Sequence, residues 1–151
     1  MSEYDKCLAS AQKSLAIREH SCFQIKNKLS KKGFDKDVIE NVLQELKDNG
    51  FQSDVRYLSE YIRYRQNQGH SSKKIIYELK SNGISSELIN QKVYEFIDDY
   101  EILLDLANYK IKKQDLRDEK TLRKYVNYFK SRGFGESIIL KVIKKFQKYE
   151  K

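Results

Sequence analysis

The feature that most constrains this chain is a short phrase that returns every fifty residues. "KLSKKGF" at 28–34, "ELKSNGI" at 78–84 and "YFKSRGF" at 128–134 each place a glycine four positions after a large apolar residue. Glycine adopts the left-handed backbone in which helices commonly end, so each phrase predicts a helix terminus. A fixed period of this length is typical of tandem repeats.

Apolar residues on both sides of each glycine keep the same period. After the first glycine they fall at Ile39, Leu43 and Leu46, which is one stripe of a helix. Before it, Ile25 and Leu29 lie four residues apart and form a second stripe. The positions that match across the three units are Ile25/Ile75/Tyr125, Leu29/Leu79/Phe129, Phe34/Ile84/Phe134, Val38/Leu88/Ile138, Ile39/Ile89/Ile139, Leu43/Val93/Ile143 and Leu46/Phe96/Phe146. Each unit therefore contains a helical hairpin.

A further helix precedes each hairpin, at about 4–18, 53–68 and 101–114. Because two helices cannot bury both stripes, the third helix is expected to close each small core. The sequence predicts an all-α fold of three tandem three-helix repeats, about nine helices in an elongated array with room for curvature. The predicted repeats are 1–50, 51–99 and a strongly basic 100–151.

Hydroxyl side chains mark the expected start of the second helix in each repeat. Ser21, Ser71 and Thr121 stand at or near these positions, where a side-chain oxygen can accept from free backbone N–H groups. Asp35 and the pair Ser85–Ser86 can cap the helix that follows, whereas Gly135 is a weaker cap in the third repeat. The boundary residues thus agree with the apolar pattern.

Residues that would support catalysis are scarce. The sequence has no glycine-rich phosphate-binding loop, and its two histidines, His20 and His70, occupy equivalent repeat positions that favour a structural role. Cys7 and Cys22 suggest reduced, packed thiols rather than a disulfide framework or a metal site. We therefore predict a protein that is not an enzyme and needs no cofactor or metal.

The ends and apolar runs of the sequence bear on its location. The N-terminus lacks the pattern of a secretory signal, and no apolar run approaches the ~20 residues that cross a bilayer. The sequence therefore predicts a cytoplasmic protein without a membrane partner, and we expect a monomer.

The basic surplus is concentrated in the last third of the chain. Lys and Arg number 30 against 22 acidic residues overall, and residues 101–151 carry 14 against 7. Such an excess suits an anionic partner, nucleic acid before a membrane surface, although a plain solvated basic face is the simpler alternative. The predicted DNA- or anion-binding residues are Lys124, Lys130, Arg132, Lys141, Lys144, Lys145 and Lys148.

A second candidate surface lies in the stretch "DVRYLSEYIRYRQNQGHSSKK" at 54–74, which interleaves cations with Tyr57, Tyr61 and Tyr64. Arginine and tyrosine are favoured at binding hot spots and also suit phosphates and bases. The alternative is an intrahelical ladder such as Arg56 with Glu60, and Tyr61 falls on the apolar stripe and is expected in the core. The predicted partner-binding residues are Arg56, Arg63, Tyr64, Arg65, Lys73 and Lys74.

Several of these phrases together resemble the RecX family of bacterial recombination regulators. They are "IREHS" at 17–21, "KLSKKGF", "NGFQSDVRYLSEYIRYRQNQG" at 49–69 and "KIIYELKSNGI" at 74–84. The resemblance covers essentially the whole chain and is strongest across 17–96. Gln52 and Leu58 depart from the Leu and Ala usual in the family, but the arginine pattern is intact.

The resemblance implies a partner and a mode of action. Family members bind the RecA recombinase in the groove of its nucleoprotein filament and restrain its ATP hydrolysis, strand exchange and the co-protease activity of the SOS response. On this hypothesis the six partner-binding residues contact the filament, and the lysines of 141–148 steer the approach or contact single- or double-stranded DNA. Two alternatives stay open: a DNA-binding or architectural protein that acts without RecA, and a helical scaffold for an unrelated partner. Whether the chain inhibits or assists RecA also stays open.

Overall fold

The chain is all-α, as the sequence predicts. A computed structural model describes residues 1–112 and 116–148, which contain nine α-helices and no strand. The helices are α1 Glu3–Ile17, α2 Cys22–Lys31, α3 Lys36–Asp48, α4 Asp54–Asn67, α5 Ser72–Ser81, α6 Ser86–Gln91, α7 Asp99–Lys110, α8 Glu119–Ser131 and α9 Glu136–Lys148, and a short 3-10 helix, Val93–Glu95, follows α6. The helices predicted at 4–18 and 53–68 are α1 and α4. The third, α7, ends at Lys110, and positions 113 and 114 of that prediction lie outside the described residues.

The described residues divide into two compact units. Unit 1 comprises Met1–Tyr61 and Glu78–Val93, and unit 2 comprises Ile62–Tyr77 with the described residues from Tyr94 onward. The repeat boundaries at 1–50, 51–99 and 100–151 stay a prediction.

Unit 1 has its core where α1, α2 and α3 meet. The buried side chains are Cys7, Ala11, Ile25, Leu29, Ile39, Val42, Leu43 and Leu46. Both predicted stripes of the first repeat therefore point inward, and α1 covers them. Burying a side chain such as Leu or Ile contributes roughly 1.5–3 kcal/mol, so this small cluster can hold three short helices together.

Unit 2 has an equivalent core around α7, α8 and α9. Its buried residues are Ile102, Leu103, Ala107, Ile111, Leu116, Phe129, Phe134, Ile139, Val142 and Ile143. Phe129 is fully buried and stands at the repeat position that Leu29 and Leu79 hold earlier in the chain.

The helix starts are capped largely as the sequence predicts. The Ser21 side chain accepts from the Gln24 backbone N–H, and the Gln24 side chain accepts in return from the Ser21 N–H, which is a capping box. The predicted cap at Thr121 is wrong, because α8 begins two residues earlier. Asp118 caps that helix, and the Thr121 hydroxyl lies inside it and donates to Asp118 Oδ2 at 2.8 Å.

One junction recurs, once in each unit, where the start of a second helix meets the following repeat. In unit 1 the Cys22 N–H donates to Asp54 Oδ1 at 2.9 Å, and the Ser21 hydroxyl donates to the Asn82 carbonyl at 2.7 Å. Side chains from later in the chain thus complete the N-terminus of α2.

In unit 2 the two bonds again run to an aspartate and to a backbone carbonyl, although the donor to the carbonyl is a backbone N–H instead of a hydroxyl. The Ser72 N–H donates to Asp99 Oδ1 at 2.9 Å, and the Ser71 N–H donates to the Arg132 carbonyl at 2.9 Å. Asp99, the first residue of α7, therefore serves the N-terminus of α5 as Asp54, the first residue of α4, serves that of α2.

The three repeated glycines have the positive φ angles that the sequence predicts, at 89° for Gly33, 83° for Gly83 and 97° for Gly133. Two of them also face the junctions. A Cβ added at Gly83 would overlap Phe23, and one at Gly133 would overlap Ser71 and Lys74, whereas one at Gly33 would meet nothing within 4 Å. The glycine thus ends a helix in every repeat and also permits close packing in the last two.

Candidate interaction surface

Arg56 is used inside unit 1. Its Nε donates to Glu19 Oε1 at 2.9 Å, and its Nη2 donates to the Gly50 carbonyl at 2.7 Å. These bonds tie the turn before α4 to the residues before α2. This ion pair is with Glu19 and not with Glu60, the intrahelical partner that the sequence also allowed. Arg56 therefore contributes to the structure of unit 1, in addition to any role in binding.

Two of the three tyrosines in this stretch face inward. Tyr57 is buried, and its hydroxyl accepts from Asn82 Nδ2 at 2.9 Å while its ring stacks on Tyr61 with centroids 5.6 Å apart. Burial raises the pKa of Tyr57 above its usual value. Tyr61, expected in the core, is half-buried and donates to Glu78 Oε1 at 3.0 Å. Tyr64 lies exposed in unit 2 and remains a surface candidate.

The remaining cations of 54–74 belong to unit 2 and differ in their surroundings. Arg63 and Lys73 are exposed. Arg65 is half-buried and donates to Gln68 Oε1 at 2.7 Å. Lys74 donates through Nζ to the Ser131 carbonyl at 2.9 Å, so it helps to hold the unit 2 junction. Arg63 and Lys73 are accordingly the best placed to meet a partner.

Arg132, predicted to bind an anion, is half-buried and hydrogen-bonded to other residues of unit 2. Its Nη1 donates to the Gln68 carbonyl at 2.8 Å and lies 2.9 Å from His70 Nε2, and its Nη2 donates to the Tyr128 hydroxyl at 2.8 Å. A guanidinium can only donate, so His70 Nε2 accepts and its neutral ring carries the proton on Nδ1. Three acceptors fix this guanidinium in place.

The lysines of α9 form an exposed basic face. Lys141, Lys144, Lys145 and Lys148 are all exposed, whereas the opposite side of the helix buries Ile139, Val142 and Ile143. On α8, Lys124 and Lys130 are exposed too. A row of cations on one rigid helix suits a phosphate backbone better than scattered side chains would.

The histidines and cysteines are in packed surroundings. His20 and His70 are both buried, and His20 Nδ1 donates to the Arg18 carbonyl at 2.9 Å. Burial lowers the pKa of His20 below its usual 6.5. Cys7 is a buried free thiol and Cys22 a half-buried one. Within 1–112 and 116–148, no group of three or more His, Cys, Asp or Glu residues could hold a metal ion.

Unit 2 thus holds every predicted site residue except Arg56. Sequence reasoning missed Tyr109, which is 84% exposed at the end of α7, beside Lys110. The sequence does carry a signal for it, a tyrosine next to a lysine at the C-terminal end of the helix. No helix in the described part of the chain is long and apolar enough to cross a membrane.

Two family models match the chain. The model described as RecX, first three-helix domain, matches residues 7–46, and RecX, second three-helix domain, matches 53–92. The matched ranges fall within the first two predicted repeats and together cover more than half of the sequence.

Full-length relatives and solved structures agree with those models. The chain is 36% identical over 140 residues to the regulatory protein RecX of Legionella pneumophila (strain Corby), which covers 92% of this chain and 93% of the relative. It is 33% identical over 120 residues to that of Haemophilus ducreyi, covering 80% and 79%. The crystal structure of RecX from Lactobacillus salivarius shares the fold, with a TM-score of 0.75 at 18% identity over 96% of this chain and 97% of that one. The expectation of a non-enzymatic protein agrees with the relatives' description as regulatory proteins. The chain belongs to the RecX family.

Proposed function

We propose that the protein binds the RecA nucleoprotein filament in its groove and restrains ATP hydrolysis, strand exchange and co-protease activity, and so acts in recombination and DNA repair. Family membership motivates the choice of partner. The observation that carries the proposal is the set of exposed cations in unit 2, with Arg63 and Lys73 on α4 and α5 and four lysines on α9. The filament brings protein and phosphate together, and these exposed cations offer charges for both.

Inhibition would follow from unequal affinity for two filament states. A ligand shifts an equilibrium only by the difference between its affinities for the two forms. A chain that contacts neighbouring RecA subunits in one arrangement more tightly than in the other lowers the population of the active arrangement. The chemistry of ATP hydrolysis then belongs entirely to RecA.

The direct test is a titration of RecA's single-stranded-DNA-dependent ATPase with the protein. The double variant Arg63→Glu with Lys73→Glu should raise the half-inhibitory concentration by about tenfold, since exposed ion pairs contribute up to ~1 kcal/mol each and 1.4 kcal/mol is tenfold. The matched control is Lys13→Glu with Lys26→Glu, which makes the same charge change on exposed helix positions of unit 1. Equal inhibition by the two double variants would remove Arg63 and Lys73 from the interface, and no inhibition by the native protein would end the proposal.

The second candidate is direct DNA binding without a recombinase, which the exposed lysine row of α9 favours. Affinity for naked DNA should then fall steeply with salt, by a slope of about 0.9 per phosphate contacted on duplex DNA. Replacing Lys144 and Lys145 by alanine would reduce that slope. Direct DNA binding is the better account if the protein binds naked DNA as tightly as it binds RecA filaments and leaves the ATPase of RecA unaffected.

A further inference from the structure

A pocket in unit 2 has the composition of a ligand site. Its volume is about 350 Å³, and its walls come from the C-terminal ends of α4, α7 and α8. Sites for small organic ligands begin at about 300 Å³, so the space suits a compact ligand rather than an extended peptide. All the lining residues belong to unit 2.

The pocket is strongly cationic. Arg65, Lys110 and Arg132 line it, and the described lining includes no carboxylate. Two of these cations also have partners within unit 2: Arg132 donates to the Gln68 carbonyl at the end of α4, and Arg65 donates to Gln68 Oε1. Lys110 is exposed, and its ammonium group lies over two aromatic rings. The site therefore favours an anion.

The pocket also offers flat apolar surface. The Lys110 ammonium lies 5.7 Å from the centre of the Tyr109 ring and 5.4 Å from that of Tyr128. Tyr128 is held by its hydroxyl, which accepts from Arg132 Nη2 at 2.8 Å. Tyr109 is 84% exposed, so most of its ring surface is accessible to a ligand. Together the groups can accept a planar aromatic moiety as well as a negative charge.

We propose that this pocket binds one nucleotide unit. The base of the nucleotide stacks on the open face of Tyr109, and Lys110 and Arg65 bind the phosphate of the nucleotide. Arg132 and Tyr128, which are hydrogen-bonded to each other, form a fixed wall of the pocket. Cation-flanked aromatic rings are the usual means of holding unpaired bases, because every base has a stacking face. A strand or a free nucleotide could supply the unit. The proposal needs no recombinase; where the ligand is a strand, it adds a base-stacking site to the direct DNA binding considered above.

The test uses the full chain alone. Fluorescence anisotropy measures binding of a labelled single-stranded thymidine hexamer and of an abasic hexamer with the same phosphates, and unlabelled thymidine monophosphate serves as competitor. Tyr109→Ala should weaken binding of the thymidine hexamer by about 5- to 150-fold, the range for loss of one stacked base, whereas Tyr109→Phe keeps the ring and the affinity. Lys110→Ala should weaken both oligomers. Lys26→Ala, an exposed lysine outside the pocket, is the control and should change neither.

The outcomes separate the sources of the ligand. Competition by the monophosphate that is lost in Tyr109→Ala would support a free nucleotide as a ligand, and hexamer binding without such competition would support a strand. Equal affinity for both hexamers, or full affinity in Tyr109→Ala, would overturn the proposal. So would a hexaglutamate peptide that binds as tightly as the thymidine hexamer and with the same sensitivity to Tyr109→Ala. Because Tyr109 is exposed, its variants should fold, and circular dichroism verifies this.

Discussion

Replacing Gly133 by alanine should destabilise the protein much more than the same replacement at Gly33. The two glycines end equivalent helices with similar φ angles, 97° and 89°, so the backbone strain that a side chain brings is nearly the same. Their surroundings differ. A Cβ at position 133 would lie 2.8 Å from the Lys74 Cβ and closer still to the Ser71 hydroxyl, and one at position 33 would meet nothing within 4 Å.

The expected losses of stability follow from two costs, the backbone strain of a positive φ and the steric overlap of the added Cβ. A left-handed alanine costs roughly 1–2 kcal/mol, which is the whole effect expected at Gly33. Forcing extra atoms into a packed site costs typically another 1–3 kcal/mol, so Gly133→Ala should lose about 2–5 kcal/mol. Gly83→Ala should behave like Gly133→Ala, since its Cβ would lie 2.7 Å from Cγ of Phe23 and closer still to the Phe23 Cβ.

The assay is equilibrium unfolding in urea, followed by far-UV circular dichroism, for the native chain and the three alanine variants. A local readout is hydrogen exchange at the Ser71 amide, which donates to the Arg132 carbonyl and should exchange faster in Gly133→Ala but not in Gly33→Ala. Combining Gly133→Ala with Ser71→Gly should recover part of the loss, because the closest atom is then gone.

One result would refute this reasoning. If Gly33→Ala and Gly133→Ala lost the same free energy of unfolding within about 0.5 kcal/mol, the extra cost at Gly133 would not exist. Positive φ would then account for the whole loss of stability at both glycines. The close packing of Gly133 against Ser71 and Lys74 would have no energetic effect.

Two further predictions concern titratable groups. Burial lowers the pKa of His20 below 6.5, and Arg18 and Lys28 oppose its charging while Glu19 favours it. The folded protein therefore binds a proton at His20 less readily than the unfolded chain does. The stability that neutral His20 contributes is complete above about pH 6.5. It is lost as the pH falls from that value towards the pKa of His20 in the folded protein. Unfolding free energies measured from about pH 7.5 to about pH 5.5 should fall more steeply for the native chain than for His20→Gln; parallel curves would contradict this. Burial likewise raises the pKa of the Cys7 thiol, so a thiolate-specific reagent should label the half-buried Cys22 in the folded protein and Cys7 only after urea is added. Mass spectrometry of labelled peptides gives the answer, and rapid native labelling of Cys7 would show that the α1 side of the core opens readily.

The helices and their ends could be predicted because their determinants are local. The stripe Ile39, Leu43 and Leu46 and the glycine at 33 lie within fifteen residues of one another, and each acts through the backbone period or through its own φ angle. The cap at Thr121 failed for a local reason too. Asp118, three residues earlier, is an equally good cap, and the sequence offers no means of choosing between them.

The roles of the cations could not be predicted because their partners are distant in sequence. Arg56 pairs with a residue 37 positions away, Lys74 with one 57 away and Arg132 with one 62 away. Before folding, such side chains are indistinguishable from Arg63 and Lys73, which face solvent. The charge pattern therefore predicts stretches rich in cations but not which of these cations face solvent.

The recurring aspartate at the junctions has a consequence for synthesis. The Cys22 amide relies on an acceptor 32 residues further along, and that of Ser72 on one 27 residues further along. On the ribosome, α2 emerges before its carboxylate partner exists, and α5 likewise. The N-terminus of α2 is completed only after the first residue of α4 has been made, and that of α5 only after the first residue of α7, so native structure at these two places should be acquired in steps that trail translation by about one helical hairpin.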